Sequence, residues 1–302
     1  MIKVRVPATS ANLGSGFDCL GIALSMYNTL YFEEYDRLEI FSLDKKEIPT
    51  DENNMVYKSF SHLYDIVGRK FNGIKIYQKS DIPMARGLGS SSACLVGGLL
   101  GANALLNNIV STKELINISA AMEGHPDNTT PAILGGLVTC AIDMGKVYSV
   151  SVPVDKHVKF VALIPPFSLP TAQARSVLPT NISRSDAVYN ISRAALITAS
   201  LFSGKLENLK VSTDDMLHQQ YRMGFISGSD RVFKIAYDLG ALGVYISGAG
   251  STIMAIINNN DNNFSKEIRK ILNKEDFAGW EVCELSVDSK GAEATSVINL
   301  EE

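Results

Sequence analysis

The sequence predicts an α+β fold in two parts. Segments rich in Val, Ile, Tyr and Phe read as strands, and apolar segments with helical spacing read as helices. The two kinds follow one another in mixed order, without the regular βαβα alternation of a doubly wound sheet. The 302 residues are about twice a common domain size, and a composition of 46% hydrophobic and 20% charged residues supplies a core for that length.

Residues 3–7 alternate Lys3 and Arg5 with Val4 and Val6 before Pro7, the pattern of a half-buried first strand. Further strands are expected at residues 30–41, 73–78, 136–142, 159–164, 243–246, 252–257 and 282–286. Helices are expected at residues 54–67, 91–106, 112–123, 184–201, 230–239 and 265–272. Ser111 or Thr112 is placed to cap the helix that opens Thr112-Lys113-Glu114-Leu115. The polar stretch at 258–263 reads as a turn. The break between the two parts is expected near residues 151–156, which divides the chain into 1–153 and 154–302.

A formal net charge of -4 gives no electrostatic footprint for nucleic acid or for an anionic membrane. The 4 cysteines, Cys19, Cys94, Cys140 and Cys283, form no CxxC and read as reduced thiols of a cytoplasmic protein. The 4 histidines show no spacing that argues for zinc. No apolar run of signal-peptide type follows the N-terminus. The most apolar run, residues 93–106, falls short of the roughly 18–20 residues that span a bilayer and is interrupted by Gly97, Gly98 and Gly101. It reads as a buried helix.

The most informative segment is Ile82-Pro83-Met84-Ala85-Arg86-Gly87-Leu88-Gly89-Ser90-Ser91-Ser92-Ala93. It leaves a strand, turns through Gly-x-Gly and opens an apolar helix. Glycines there permit positive φ and leave no Cβ between the backbone and a ligand. The first N–H groups of the helix have no intrahelical partners and sit at the positive end of its dipole, where an anion fits. The serine hydroxyls add ligands for phosphate or Mg²⁺. The pattern is neither a Walker A loop nor the dinucleotide GxGxxG.

With its Pro-x-x-x-Gly-Leu-Gly-Ser-Ser pattern, this segment resembles the ATP-phosphate loop of the GHMP kinases. Two further segments resemble motifs of the same superfamily in the expected order. The first is Val6-Pro7-Ala8-Thr9-Ser10-Ala11-Asn12-Leu13-Gly14-Ser15-Gly16-Phe17-Asp18, where Asn12 and Asp18 are similar to the homoserine kinase version. The second is Leu242-Gly243-Val244-Tyr245-Ile246-Ser247-Gly248-Ala249-Gly250-Ser251-Thr252, with a Ser-Gly-Ala-Gly core; family members often carry proline where Ser251 stands. The resemblance covers essentially the whole chain. It implies the GHMP kinase two-domain fold: an N-terminal part like ribosomal protein S5 domain 2 and a C-terminal ferredoxin-like α/β sandwich.

The resemblance also implies roles. Pro83, Met84, Ala85, Arg86, Gly87, Leu88, Gly89, Ser90, Ser91, Ser92 and Ala93 would hold ATP, with Asn54 near the adenine, and Ser91 and Glu123 would hold Mg²⁺. In Met122-Glu123-Gly124-His125-Pro126-Asp127-Asn128, the residues His125, Asp127 and Asn128 would face the acceptor, Asp127 as general base or as an orienting group. Thr171 and Arg175, in Thr171-Ala172-Gln173-Ala174-Arg175, resemble a substrate-carboxylate clamp, which suits the planar guanidinium. Arg222 resembles a second such arginine, although Gln219-Gln220 departs from the usual His-Glu-Pro-Tyr-Arg. Asp18, with Asn12, would take an ammonium group. Together, Asp127, Arg175 and Glu123 would be the catalytic set for phosphorylation of L-homoserine by ATP in threonine biosynthesis. A homodimer is compatible with the family. Mevalonate, shikimate or isoprenoid-precursor acceptors, and a non-catalytic nucleotide sensor on the same fold, remain the alternatives.

Overall fold

A computed structural model describes residues 1–274, 277 and 279–300. The chain opens with β1 (Ile2–Ala11), β2 (Leu20–Tyr35), β3 (Leu38–Ser42), α1 (Met55–Ile66), β4 (Gly73–Ser80), α2 (Ser90–Leu105), α3 (Thr112–Glu123), α4 (Thr129–Leu134), β5 (Leu137–Asp143) and β6 (Lys146–Val152). It continues with β7 (Val158–Ile164), α5 (Thr171–Arg175), α6 (Arg184–Ser203), α7 (Leu209–Ser212), α8 (Gln219–Arg222), α9 (Ser229–Asp238), β8 (Gly243–Ile246), β9 (Ile253–Asn258), α10 (Phe264–Lys274), β10 (Glu281–Leu285) and β11 (Glu293–Ser296). The architecture is α+β, as expected.

The first sheet has 7 strands, β11-β1-β2-β4-β3, with β5 and β6 continuing from the early half of β2. β2 is long enough to serve two partners: Leu20–Ile22 pair with β5, and Asn28–Tyr35 pair with β4. A register shift between Pro7 and Ala8 in β1 bends the strand where the first motif begins. The second sheet has 4 strands in the order β10-β7-β9-β8, all antiparallel. Strand, helices, two strands, helix and strand give the ferredoxin-like βαββαβ arrangement.

The expected strand at 30–41 is a correction. It is two strands, broken at Asp36 and Arg37, and β4 lies between them, antiparallel to β2 and parallel to β3. The turn carries neither Gly nor Pro, so nothing in the β-rich run marks it. β11 was absent from the expectations because all its residues are exposed and show no apolar alternation, yet it pairs with β1 and returns the chain's end to the first sheet.

β7 explains how the two parts are joined. Side chains alternate across a strand, so Phe160, Ala162 and Ile164 enter a core shared with the first sheet, while Val161 and Leu163 enter a second core under α9 and α10. That is why β7 is buried along its whole length. Ser111 caps α3 in a reciprocal capping box with Glu114. No described helix is long and apolar enough to cross a membrane.

α2 is the structural centre of the first part, packed against α1 and β1. Its glycines are contact surfaces. A Cβ on Gly98 would lie 2.0 Å from Ser59 Oγ and 2.2 Å from the Val56 carbonyl oxygen, and one on Gly101 would meet the Phe32 ring at 2.4 Å. Backbone at α1 cannot rotate away as a side chain does. Gly98→Ala is therefore expected to destabilise the fold by about 1–3 kcal/mol through overpacking. Urea unfolding checks this against Gly224→Ala, where nothing lies within 4 Å and the midpoint should hold.

Candidate active site

Three glycine-rich loops, distant in sequence, meet at one cleft. The chain enters α2 through Gly87 at φ 78 and Gly89 at φ 70. Both are required by their neighbours as well as their dihedrals: a Cβ on Gly87 would lie 2.2 Å from Ser247 O, and one on Gly89 would lie 2.0 Å from Thr9 Oγ1. Gly89 offers no side-chain cap to α2, so the first amides of the helix keep their donors for a ligand. Ser90, Ser91 and Ser92 line the cleft from this side, and the cavity between the loops has a volume of about 90 Å³.

Hydrogen bonds lock the loops together. Gly248 N donates to Ala11 O at 3.1 Å, and Asn12 Nδ2 donates to Gly248 O at 2.9 Å. Ser247 Oγ donates to Gly87 O at 2.6 Å, and Thr9 N to Leu88 O at 3.2 Å. Asn12 also accepts from Asp18 N through Oδ1. Both ends of its amide are thus committed to shaping the first loop, which holds Asp18 at the cleft.

One end of the cleft is strongly polar. Arg175 grips Asp18 with two parallel bonds, 2.5 Å and 3.0 Å. That hydrogen bond raises the pKa of Arg175. Arg222 is 1% exposed. Its Nη1 donates to Gly248 O at 3.0 Å and to His218 Nδ1 at 3.1 Å, and its Nε donates to Ala174 O at 3.3 Å. Among the described residues it has no carboxylate within ion-pair distance. Burial and the nearby Arg175 lower its pKa to about 10, so it stays a cation at neutral pH. Phe17 lies beneath both guanidiniums, 5.5 Å from Arg175 and 5.3 Å from Arg222.

On the opposite wall, Asp127 is 2% exposed and accepts from His125 Nδ1 at 2.6 Å. Thr9 Oγ1 donates to Asn128 Oδ1 at 2.8 Å. Glu123 stands over the start of α2, accepting from Ser92 Oγ at 2.9 Å and lying 3.5 Å from Ser91 Oγ.

This chain is similar in sequence and fold to known proteins over nearly its full length. Residues 54–136 match the GHMP kinases N terminal domain, and residues 197–274 match the GHMP kinases C terminal domain. A homoserine kinase of Clostridium beijerinckii is 46% identical over 97% of this chain and 98% of its own. The chain belongs to the homoserine kinase family. Another member, from Caldicellulosiruptor saccharolyticus, is 42% identical over 98% of this chain and 97% of its own. The crystal structure of homoserine kinase from Cytophaga hutchinsonii superposes with a TM-score of 0.86 at 29% identity, covering 97% of both chains.

Most of the residues that the homoserine kinase resemblance implied come together. Asn12, Asp18, Ala85, Arg86, Gly87, Gly89, Ser90, Ser91, Ser92, Glu123, His125, Asp127, Asn128, Thr171, Arg175 and Arg222 all border the cleft. Five do not. Asn54, 2% exposed, caps α1: its Oδ1 accepts from Val56 N, Tyr57 N and Gln78 Nε2, while Nδ2 donates to Pro49 O. These bonds fix its amide in the fold around α1, away from the residues that border the cleft. Leu88 and Ala93 are wholly buried, and Pro83 and Met84 border a separate hollow, so none of the four lines the cleft.

Three participants are not among the individual site residues named from the sequence. Gly248 and Ala249 line the cleft from the third motif, whose core the resemblance sets beside the phosphates and the acceptor. His218 steers Arg222. Its Nε2 contacts Gly14 O at 2.7 Å, which only accepts, so Nε2 carries the proton and Nδ1 is left to accept from Arg222. Burial lowers its pKa and keeps the ring neutral.

His125 behaves in the opposite way. Burial opposes its charge, but the hydrogen bond and charge of Asp127 outweigh this and raise its pKa above 6.5. A raised value means that the pair stabilises the fold fully below the unfolded pKa, and that this contribution fades as pH rises through the folded pKa. Asp127→Asn is expected to move the His125 titration to lower pH. An NMR titration of the ring checks it; an unmoved midpoint would show that Asp127 does not hold the proton there.

Proposed function

We propose that this chain transfers the γ-phosphoryl group of ATP to the hydroxyl of L-homoserine, giving O-phospho-L-homoserine for threonine biosynthesis. The observation that carries the reading is Arg222: a buried cation at the acceptor end of the cleft, beside a carboxylate and a second guanidinium that are free to exchange partners. An amino acid is the matching ligand. Its carboxylate takes Arg175 and Arg222, and its ammonium takes Asp18, so the Asp18–Arg175 pair is exchanged for two substrate contacts of the same kind. Mevalonate and shikimate offer the carboxylate without the ammonium and leave Asp18 uncompensated.

The phosphate end is served by the open amides at the start of α2. Glu123 with Ser91 or Ser92 makes a sparse, all-oxygen donor set, which fits Mg²⁺. When bound with the nucleotide, that ion neutralises charge that builds up on the phosphates. Ser92 is the nearer hydroxyl to Glu123, so it joins Ser91 as a candidate ligand. Asp127, held by His125, orients the acceptor hydroxyl towards the phosphate loop. Catalysis then rests on positioning and charge neutralisation, the main resources in phosphoryl transfer. In this reading residues 1–153 carry the nucleotide loop and residues 154–302 the acceptor clamp, in a cytoplasmic enzyme.

ADP release with MgATP and homoserine, mevalonate, shikimate or galactose tests the acceptor. Turnover confined to homoserine is expected; turnover with another acceptor overturns the clamp, and nucleotide binding without any turnover favours a sensor. Arg175→Ala should cost about 2–5 kcal/mol in kcat/KM for homoserine, roughly 30-fold or more. Wild-type kcat/KM in that variant would refute the carboxylate assignment.

A further inference from the structure

Arg86 lies in the phosphate loop, but its guanidinium is not spent on the phosphate side. Nε donates to Pro165 O at 3.1 Å, Nη2 to Pro166 O at 2.8 Å, and Nη1 to Met84 O at 3.2 Å. Pro165 and Pro166 follow β7 directly and begin the segment that leads into α5, the carrier of Thr171 and Arg175. The same segment is tied to the loops at two more points. Leu169 N donates to Ala85 O at 2.9 Å, and Ser251 Oγ donates to Phe167 O at 2.9 Å. Arg86 is itself held to the third motif, since Thr252 N donates to Arg86 O at 3.0 Å.

We propose that Arg86 is a positioning residue that registers the acceptor clamp against the phosphate loop. It acts through residues 165–170 on Arg175 and leaves nucleotide binding to the amides and serines. The chemistry of the side chain fits. A planar guanidinium reaches two successive carbonyls in one plane while a third donor closes on its own loop; a lysine ammonium lacks that fixed fork. Transfer requires the acceptor oxygen and the γ-phosphorus at near-attack separation, and a misplacement of about 1 Å costs on the order of 10²-fold in rate. The phosphate loop and the arginines of the acceptor clamp come from opposite halves of the chain, and the Arg86 bonds tie their supports directly. Ser251 gains a role in the same brace: where family members often carry proline, this chain has a hydroxyl that holds Phe167 O.

The inference rests on the homoserine reading, and the test separates the two. The comparison is the unsubstituted chain against Arg86→Ala, measuring nucleotide Kd directly without acceptor, then kcat and homoserine KM at saturating MgATP. The expected result is a nucleotide Kd within about twofold of the unsubstituted chain, with homoserine KM raised about tenfold and kcat lowered about tenfold. Arg86→Gln, which keeps a donor but no charge, should recover part of the loss, and Ser251→Ala should reproduce it more weakly. These two also stand in if Arg86→Ala does not fold. A nucleotide Kd that weakens as much as the homoserine KM would make Arg86 a phosphate ligand and overturn the proposal. Unchanged constants in an active chain overturn it as well. Absence of homoserine turnover in the unsubstituted chain sinks the functional reading and, with it, this one.

Discussion

The cleft depends on one small junction, the hydrogen-bonded seam where the Ser247–Gly248 turn meets both the end of β1 and the phosphate loop. Gly248 exchanges bonds with Ala11 and Asn12 on one side, and Ser247 holds Gly87 on the other. Ser10 Oγ adds a buried bridge to Ser247 Oγ at 2.8 Å and to Tyr245 Oη at 3.0 Å. Such polar groups are costly to bury unless paired, and here the pairs join segments distant in sequence. The seam therefore selects one arrangement of the loops. Glycine is needed at 87 because the neighbouring carbonyl occupies the volume a Cβ would take. The two ends of the cleft share this seam, so the geometry of one constrains the other.

The charges around it are arranged in a graded way. Arg175 is half-exposed and paired; Arg222 is buried and bonded only to neutral acceptors. Burying a cation without an anion is unfavourable, and the lowered pKa of Arg222 records the cost. Backbone carbonyls, the neutral His218 nitrogen and the face of Phe17 offset part of it. What remains is an unspent affinity for a carboxylate, strongest in the dry part of the cleft, where attraction is least screened. His125 and Asp127 on the opposite wall make the contrasting case, a buried carboxylate satisfied by its neighbour.

Much of this was legible in the sequence because the decisive elements carry local signals. The Gly-x-Gly-Ser-Ser-Ser turn announces positive φ, an open helix start and an anion site without reference to anything distant. The same holds for β7 and α2, whose residues are mostly apolar. What escaped was whatever depends on distant partners. The turn at Asp36 and Arg37 is set by strand β4 inserting between β2 and β3. β11 is a strand because β1 offers it an edge, its own residues being wholly exposed. The amide of Asn54 is claimed by the start of α1 and by Gln78. Arg86 sits inside the phosphate motif, and only the fold shows that its guanidinium meets the carbonyls after β7.

The departure at Gln219 is instructive because it lies beside Arg222. Relatives in the homoserine kinase family usually carry glutamate there. Here the side chain bridges two backbone groups, accepting from Ile246 N at 2.7 Å and donating from Nε2 to Thr213 O at 3.0 Å. A carboxylate could accept the first bond but not donate the second. The amide thus fastens the start of the third motif to the turn after α7, which itself abuts Gly14 of the first motif. It does so without adding a negative charge next to the buried arginine. The carboxylates that act on Arg222 are then Asp18, Asp215 and Asp127. Asp18 is already engaged by Arg175, Asp127 by His125, and Asp215 by the backbone amides of His218 and Gln219. With its anionic neighbours each committed elsewhere, the Arg222 guanidinium is bonded only to neutral groups, and Gln219 holds the scaffold around it without adding a charge.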